Sequence, residues 1–264
     1  MQVSAVSLKG LRPQNEDHHN IIMNMKKTNK NIKDINFFAL YDGHGGKEIS
    51  KALSDILPVY FIDNRLTYPL DKQYIKGVFN RVESIIEKEI PKSKVCGSTS
   101  LTMSHYKLGT NQFVDITNLG DCRAVMCRGN QSFTLTQDHR PLRPEEKRRI
   151  EKLGGKIVFD GEDWRVKEYS VSRSFGDVNA KPFMSHEPDL YRYKIEPTDK
   201  FIVLGCDGLW DYVCEQDVIS FILSKVYDKG RKNIESIKTI ASALGKLALK
   251  KGSTDNVSVI IVFF

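Results

Sequence analysis

The chain has 264 residues, 40% of them hydrophobic and 28% charged, a balance that is ordinary for a folded protein in water. The formal net charge of +7 makes nucleic acid a partner to consider, but the basic residues are scattered and no aromatic residues are interleaved among them. We therefore predict no nucleic-acid binding. No apolar stretch approaches the roughly 20 residues of a membrane span, so none is predicted.

In chain order, short apolar runs predict strands and longer runs with helical spacing predict helices. The sequence predicts strands at 3–8, 20–25 and 36–41, helices at 47–61 and 72–90, strands at 100–106, 113–119, 122–127 and 133–136, a helix at 144–153, a strand at 201–206, helices at 216–227 and 234–249, and a strand at 257–264. A lysine- and asparagine-rich polar loop is predicted at 26–33. This order fits an α+β fold, a four-layer α-β-β-α sandwich in which two antiparallel β-sheets are flanked by pairs of antiparallel helices.

The cysteines and the N-terminal sequence indicate the compartment. The chain has five cysteines and no CxxC pair, which favours reduced thiols over a disulfide framework or a zinc site. The first residues lack the apolar run of a signal peptide and the glycine that myristoylation requires. We therefore expect a cytoplasmic or nuclear protein.

Acidic residues stand at the ends of several predicted strands. Two of them follow a strand and four precede one: Asp42 and Asp207, and Glu16, Asp17, Asp121 and Asp255. If strands of the two kinds run in opposite directions, as antiparallel pairing provides, all of these carboxylates lie on one rim. Each aspartate taken alone has a simpler explanation, because Asp-Gly and Asp-Asn pairs form turns.

Several carboxylates packed together would repel one another unless cations lay among them. Hard divalent ions such as magnesium and manganese take carboxylate and water oxygens, and two such ions need several carboxylates. The sequence has no cluster of histidine and cysteine that would favour zinc. The pattern therefore predicts a site for two Mg²⁺ or Mn²⁺ ions, and the ligand types suit both metals equally.

Nine short segments occur in a distinctive order. They are RPQNED from Arg12, YDGHGG from Tyr41, GSTS from Gly97, NLGDCR from Asn118, DHRP from Asp138, EKLGG from Glu151, VSRSFGD from Val171, CDGLWD from Cys206 and STDN from Ser253. Together they resemble the metal-dependent protein phosphatase family, the type 2C serine/threonine phosphatases. The resemblance implies a single catalytic domain over residues 1–264, with a flap subregion at about 140–186 beside the catalytic cleft.

The resemblance also implies the metal ligands. Asp42 would bridge the two catalytic metals, and the Gly43 carbonyl and Glu16 would bind one of them. Asp207 and Asp255 would hold the other metal. Two further aspartates, Asp121 and Asp211, match positions that, with Asp207, hold a weaker third metal in the family.

Three further residues have implied catalytic roles. A water or hydroxide that bridges the metals would attack phosphoserine or phosphothreonine in line, and His44 would protonate the departing oxygen as a general acid, since an alkoxide leaves poorly. Arg12 would bind the substrate phosphate through its forked guanidinium, and Asp17 would orient waters on the metals. His18 and His19 are rival acids, although strand alternation would point one of them away from the site.

The implied partners are phosphorylated proteins, and a monomer is the family's usual state. Residues 165–171 depart from the family pattern, being one residue shorter and lacking its glycine, so an inherited substrate preference is in question. Cys206 stands where a small residue such as serine is common, and an accessible thiol there would expose the site to oxidation. The alternatives are a catalytically inactive pseudophosphatase that acts as a binding protein, and another two-metal phosphoesterase such as a nuclease.

Overall fold

The computed structural model describes residues 1–25, 32–63, 65–228 and 231–264. Its strands are β1 (Gln2–Leu8), β2 (His18–Met25), β3 (Ile32–Tyr41), β4 (Gly43–His44), β5 (Gly97–Ser98), β6 (Ser100–Leu108), β7 (Asn111–Leu119), β8 (Arg123–Arg128), β9 (Gln131–Thr134), β10 (Ile157–Phe159), β11 (Trp164–Val166), β12 (Phe175–Gly176), β13 (Asp189–Lys194), β14 (Asp199–Gly205), β15 (Tyr227–Asp228), β16 (Arg231–Lys232) and β17 (Val257–Phe263). The helices are α1 (Glu48–Ile56), α2 (Val59–Ile62), α3 (Lys72–Glu89), α4 (Pro144–Lys152), α5 (Asp207–Trp210), α6 (Glu215–Val226) and α7 (Ile234–Lys250). Most of the predicted polar loop at 26–33 lies outside the described residues.

Two five-stranded antiparallel sheets form the centre of the fold. The first has the strand order β1-β17-β14-β8-β9 and the second has the order β13-β7-β6-β3-β2. Because side chains alternate along a strand, each sheet has two apolar faces. Phe38 and Leu40 of β3 pack with Leu204 of β14 and Ile260 of β17, and these residues belong to the core between the two sheets.

The outer faces of the sheets are covered by helices. Phe37 and Tyr41 of β3 pack with residues of α1 and α3, whereas Phe201 of β14 and Val259 of β17 pack with residues of α6 and α7. Asp71 caps the N-terminus of helix α3, and its carboxylate accepts hydrogen bonds from two backbone N–H groups of the first turn. The prediction of an α+β sandwich with two antiparallel sheets and outer helices is therefore confirmed.

Several elements differ from the sequence prediction. The single helix predicted at 47–61 is wrong, since α1 ends at Ile56 and a new helix begins after Pro58, which has no N–H to continue the hydrogen-bond ladder. The six-residue strand β13 was not predicted. A small sheet of order β12-β5-β4 was also not predicted, because its two-residue strands have no readable alternation. Within the described ranges, no helix combines the length and apolarity needed to cross a bilayer.

Candidate active site

A cleft of about 740 Å³ opens where strand ends from both sheets meet. Most of the predicted site residues line it: Arg12, Glu16, Asp42, Gly43, His44, Asp121, Asp207 and Asp255. Asp17 does not line the cleft and is buried, with 6% of its surface exposed. Asp211 is also absent from the lining.

The two sheets contribute different carboxylates to the cleft. Asp42 directly follows β3 of the second sheet, whereas Asp207 follows β14 of the first sheet and Asp255 precedes β17 of the same sheet. Potential ligand atoms of Asp42, Asp207 and Cys206 all lie within 4.8 Å of one another. The antiparallel arrangement thus brings together carboxylates that are more than 160 residues apart in the sequence.

A glycine allows the two carboxylates of the first sheet, Asp207 and Asp255, to lie close to each other. A Cβ atom on Gly208 would overlap the backbone carbonyl of Asn256, so the chain after Asp207 lies against the segment that carries Asp255 only because position 208 has no side chain. On the other side of the cleft, Thr99 holds Asp42 through two hydrogen bonds, of 2.9 and 3.1 Å, to its backbone carbonyl and N–H.

Burial and mutual repulsion raise the pKa values of these carboxyl groups. Burial, followed by the charge of Asp207, raises the pKa of Asp121 to about 8. Burial, followed by repulsion from Asp255, raises the pKa of Asp207 to about 6. The pKa of Asp42 lies well above its ordinary value for the same reasons, burial first and the charge of Asp207 second.

Asp17 is buried in this cluster, and neither of its carboxylate oxygens accepts a hydrogen bond of good geometry from the described residues. Burial raises its pKa to about 7, although the nearby side chains of Ser258 and Cys206 lower it in part. Buried carboxylates that lack partners are costly unless a cation compensates them. The donor set consists of carboxylate oxygens, which hard divalent cations prefer, so the residues present fit a site for such ions.

The thiol of Cys206 is engaged by the backbone and does not face the cleft. Its Sγ donates to the Asn256 carbonyl at 3.4 Å and accepts from the Ser258 N–H at 3.2 Å, and the side chain is fully buried. Burial raises the pKa of this thiol well above its ordinary value. Cys206 is therefore a protected thiol, and the sensitivity to oxidation considered for an accessible side chain does not apply.

His44 contacts a buried acid that the sequence analysis did not identify. Its Nε2 lies 2.6 Å from Oδ2 of Asp177, and its ring meets the ring of Tyr169 edge-on at 5.7 Å. Burial alone would lower the pKa of His44, but the hydrogen bond and the charge of Asp177 raise it overall. The rival histidines do not line the cleft: His18 contacts Ser50 through Nδ1, and His19 is exposed.

The guanidinium of Arg12 pairs with a predicted metal ligand. Its Nη2 donates to Oδ2 of Asp255 at 2.6 Å, and 58% of the Arg12 side chain is exposed. The arginine therefore reaches the acidic cluster, as a phosphate-binding residue must.

A second arginine pairs with two of the acids that are predicted to hold a third metal. The Nη2 atom of Arg140 lies 2.7 and 2.9 Å from the two carboxylate oxygens of Asp211 and 3.4 Å from Oδ2 of Asp121. The guanidinium supplies positive charge to this pair, so a third cation between Asp121 and Asp211 would have to displace it. A third metal site stays a prediction.

Asn256 is a further residue of the site whose role the sequence analysis missed. Its side-chain oxygen accepts from the Glu16 N–H at 2.8 Å, and its amide donates to the carbonyls of Lys9 and Gln14. These bonds hold the segment that carries Arg12 and Glu16 beside Asp255. The signal in the sequence is its place next to Asp255 in the STDN segment, where an Asp-Asn pair by itself predicts a turn.

The segment that departs from the family pattern forms one wall of the cleft. Arg165, Glu168 and Tyr169 all line it. Val166 and Tyr169 exchange both backbone hydrogen bonds, which closes a tight turn with Lys167 at φ 55°, the left-handed region that glycine prefers. The chain thus makes this turn without a glycine and places an aromatic ring against His44.

Comparisons with known proteins agree with this geometry. The family model for Protein phosphatase 2C matches residues 1–257. A PP2C-like domain-containing protein of Acanthamoeba polyphaga mimivirus is 40% identical over 169 residues, covering 57% of this chain and 94% of that protein. A probable protein phosphatase 2C of Oryza sativa subsp. japonica is 30% identical over 264 residues, covering 98% of this chain and 64% of the relative.

A solved structure, that of a C. elegans sex determining protein, is similar with a TM-score of 0.86 and 26% identity. The match covers 99% of this chain and 64% of that chain. This chain thus spans a little under two thirds of the length of both the rice and the nematode proteins. Because the family model covers nearly the whole sequence, the chain belongs to the protein phosphatase 2C family.

Proposed function

We propose that the chain is a protein serine/threonine phosphatase that hydrolyses phosphoserine and phosphothreonine at the acidic cleft. One observation carries the proposal: carboxylates from two different sheets, Asp42 and Asp207, present ligand atoms within 4.8 Å of one another at the floor of the cleft. His44 and Arg12 line the same cleft, so a general acid and a phosphate ligand are within reach of the same substrate.

The residues divide into two groups of metal ligands. Glu16, Asp42 and the Gly43 carbonyl would hold one divalent ion, and Asp42, Asp207 and Asp255 would hold the other. Two such ions supply a water of lowered pKa and neutralise the charge that develops on the phosphoryl oxygens. Magnesium and manganese both suit this oxygen donor set.

The chain's own residues act on the substrate around this centre. Arg12 would exchange Asp255 for the substrate phosphate, to which its guanidinium can donate two parallel hydrogen bonds. His44 would give its proton to the seryl or threonyl oxygen as the ester bond breaks. Asp17, beneath the ligands, would accept hydrogen bonds from waters that enter the cluster.

The rest of the assignment is also a proposal. Residues 1–264 would form one catalytic domain whose flap, at about 140–186, borders the cleft. Phosphorylated proteins would be the substrates, and we expect a monomer in the cytoplasm or nucleus.

The test is phosphate release from a phosphothreonine peptide, with and without manganese, by the wild type and by Asp207→Asn. We expect release that depends on the metal and is lost in the variant, because one metal loses a ligand. No release by well-folded wild type would favour the pseudophosphatase, and cleavage of single-stranded DNA in its place would favour the nuclease.

A further inference from the structure

We infer that Asp177 is a positioning residue that holds the Nε2–H of His44, so that Nδ1 is the nitrogen that delivers the proton to the leaving group. The inference rests on the proposed function, since it assigns a partner and an orientation to the proposed acid. The 2.6 Å contact between His44 Nε2 and Asp177 Oδ2 is its starting point.

The small sheet is the element that creates this contact. His44 of β4 and Gly176 of β12 both pair with Gly97 of β5, one from each side. Asp177 directly follows Gly176, and its backbone N–H bonds to the Cys96 carbonyl at 3.2 Å. Three segments that are far apart in the sequence are thus aligned so that the imidazole and the carboxylate meet over one position.

That position has no side chain. A Cβ atom on Gly97 would overlap both the Asp177 carboxylate and the Nε2 atom of His44. The glycine of the GSTS segment therefore leaves the space through which the two side chains contact each other.

Asp177 has few other partners. Its side chain is completely buried, and His44 is the only ionisable cation paired with it among the described residues. Ser174 Oγ donates to the same oxygen at 2.5 Å, and the hydroxyl of Tyr169 lies close to the carboxylate. A buried carboxylate is costly unless a positively charged group donates a hydrogen bond to it, and here the protonated imidazole of His44 is that group.

The orientation of the His44 ring follows from which of its two nitrogens is already hydrogen-bonded. An imidazole has two nitrogens, and the one that faces Asp177 is occupied by that hydrogen bond. His44 lines the cleft and its side chain is 31% exposed, so the ring is partly accessible while Asp177 is not. Nδ1 remains as the nitrogen available to the oxygen of the leaving group.

The first test determines directly which nitrogen of the His44 ring is protonated, and it requires neither bound metal nor enzymatic activity. Long-range ¹H–¹⁵N correlation spectra of the metal-free protein, at a pH where imidazoles are neutral, report which nitrogen carries the proton. The chain has six histidines, and loss of a signal in His44→Gln identifies the one that matters. A proton on Nε2 is expected, and a proton on Nδ1 would overturn the inference.

The second test distinguishes a positioning role of Asp177 from a structural role by comparing two substrates. Asp177→Asn keeps the size of the side chain and tolerates the left-handed backbone found here, φ 47°. We expect kcat for a phosphoserine peptide to fall about tenfold or more, with little change for p-nitrophenyl phosphate, whose leaving group needs no acid. Equal loss on both substrates would indicate a structural role and would refute the inference.

A double mutant provides the decisive comparison. If Asp177 acts through His44, the change Asp177→Asn has no further effect on phosphoserine turnover when His44→Ala is already present. Independent, multiplying losses would contradict the assignment. Asp217→Asn, an exposed aspartate of α6 that pairs with Lys251, is the matched control. Failure of the proposed function would show differently, as a wild type that releases no phosphate, and the spectra would still test the pair.

Discussion

Arg140 donates two hydrogen bonds from one nitrogen to the carboxylate of Asp211, at 2.7 and 2.9 Å, and thereby pairs with an acid that is predicted to bind a third divalent ion. The same guanidinium lies 3.4 Å from Asp121, so one tethered cation serves two acids. A cation that is part of the chain does not dissociate.

Metal stoichiometry checks this relationship. We expect the wild type to bind two Mn²⁺ ions by isothermal titration calorimetry, and Arg140→Ala to bind a third, weaker ion, because Asp121 and Asp211 become free to act as ligands. Arg148→Ala, an exposed arginine of α4, is the control and should leave the count at two. A third ion in the wild type, or no gained ion in the variant, would show that Arg140 does not replace a metal.

The role of His44 predicts a dependence on the leaving group. His44→Ala should lower turnover of phosphoserine by about 10²-fold or more, since general acid catalysis typically contributes that much. Turnover of p-nitrophenyl phosphate should change little, because nitrophenolate leaves without a proton. Manganese affinity, measured in parallel, should be unchanged. An equal loss on both substrates would argue against the acid role.

Arg12 should act on binding of the substrate phosphate. We expect Arg12→Ala to raise KM for a phosphopeptide about tenfold, since charge-assisted hydrogen bonds to phosphate are lost. Arg12→Lys should recover only part of the effect, because an ammonium lacks the two-pronged geometry. Arg81→Ala on the exposed face of α3 supplies the control. An unchanged KM in Arg12→Ala would remove this residue from the phosphate site.

The crowded carboxylates predict an unusual pH dependence for the metal-free protein. The folded-state pKa values of Asp207, Asp17 and Asp121, about 6, 7 and 8, lie above the value of about 4 for an unfolded chain. The folded state therefore binds more protons, and its stability should fall as the pH rises through this range. Thermal unfolding in EDTA should show a lower Tm at pH 8 than at pH 5.

Added manganese and the substitution of one carboxylate provide two further tests of this explanation. Manganese should restore the Tm at pH 8, because ions that bind only the folded state stabilise it. Asp207→Asn should stabilise the metal-free protein at pH 8 by removing one repelling charge, because the pKa of Asp207 is about 6, whereas Asp217→Asn should not. A Tm that rises with pH in EDTA would show that these carboxylates are not strained in the absence of metal.

The sequence predicted the positions of the acids better than the contacts between them. Strand ends and the chain order of Asp42, Asp207 and Asp255 sufficed to place these acids on one rim, since alternation and antiparallel pairing are local rules. The pair of His44 and Asp177 was out of reach, because it depends on the register of three two-residue strands. The ion pair of Arg140 and Asp211 likewise joins residues 71 positions apart, which no periodicity reveals.

The proposed metal ligands lie on two different sheets, so the hydrophobic core between the sheets determines how far apart these ligands are. Asp42 moves with β3, and Asp207 and Asp255 move with β14 and β17, so the separation of the sheets sets the distance between the two halves of the site. Phe38, Leu40, Leu204 and Ile260 fill that separation. A close-packed interior transmits small changes of volume. We therefore expect the metal affinity of the proposed site to depend on hydrophobic packing as well as on charged side chains.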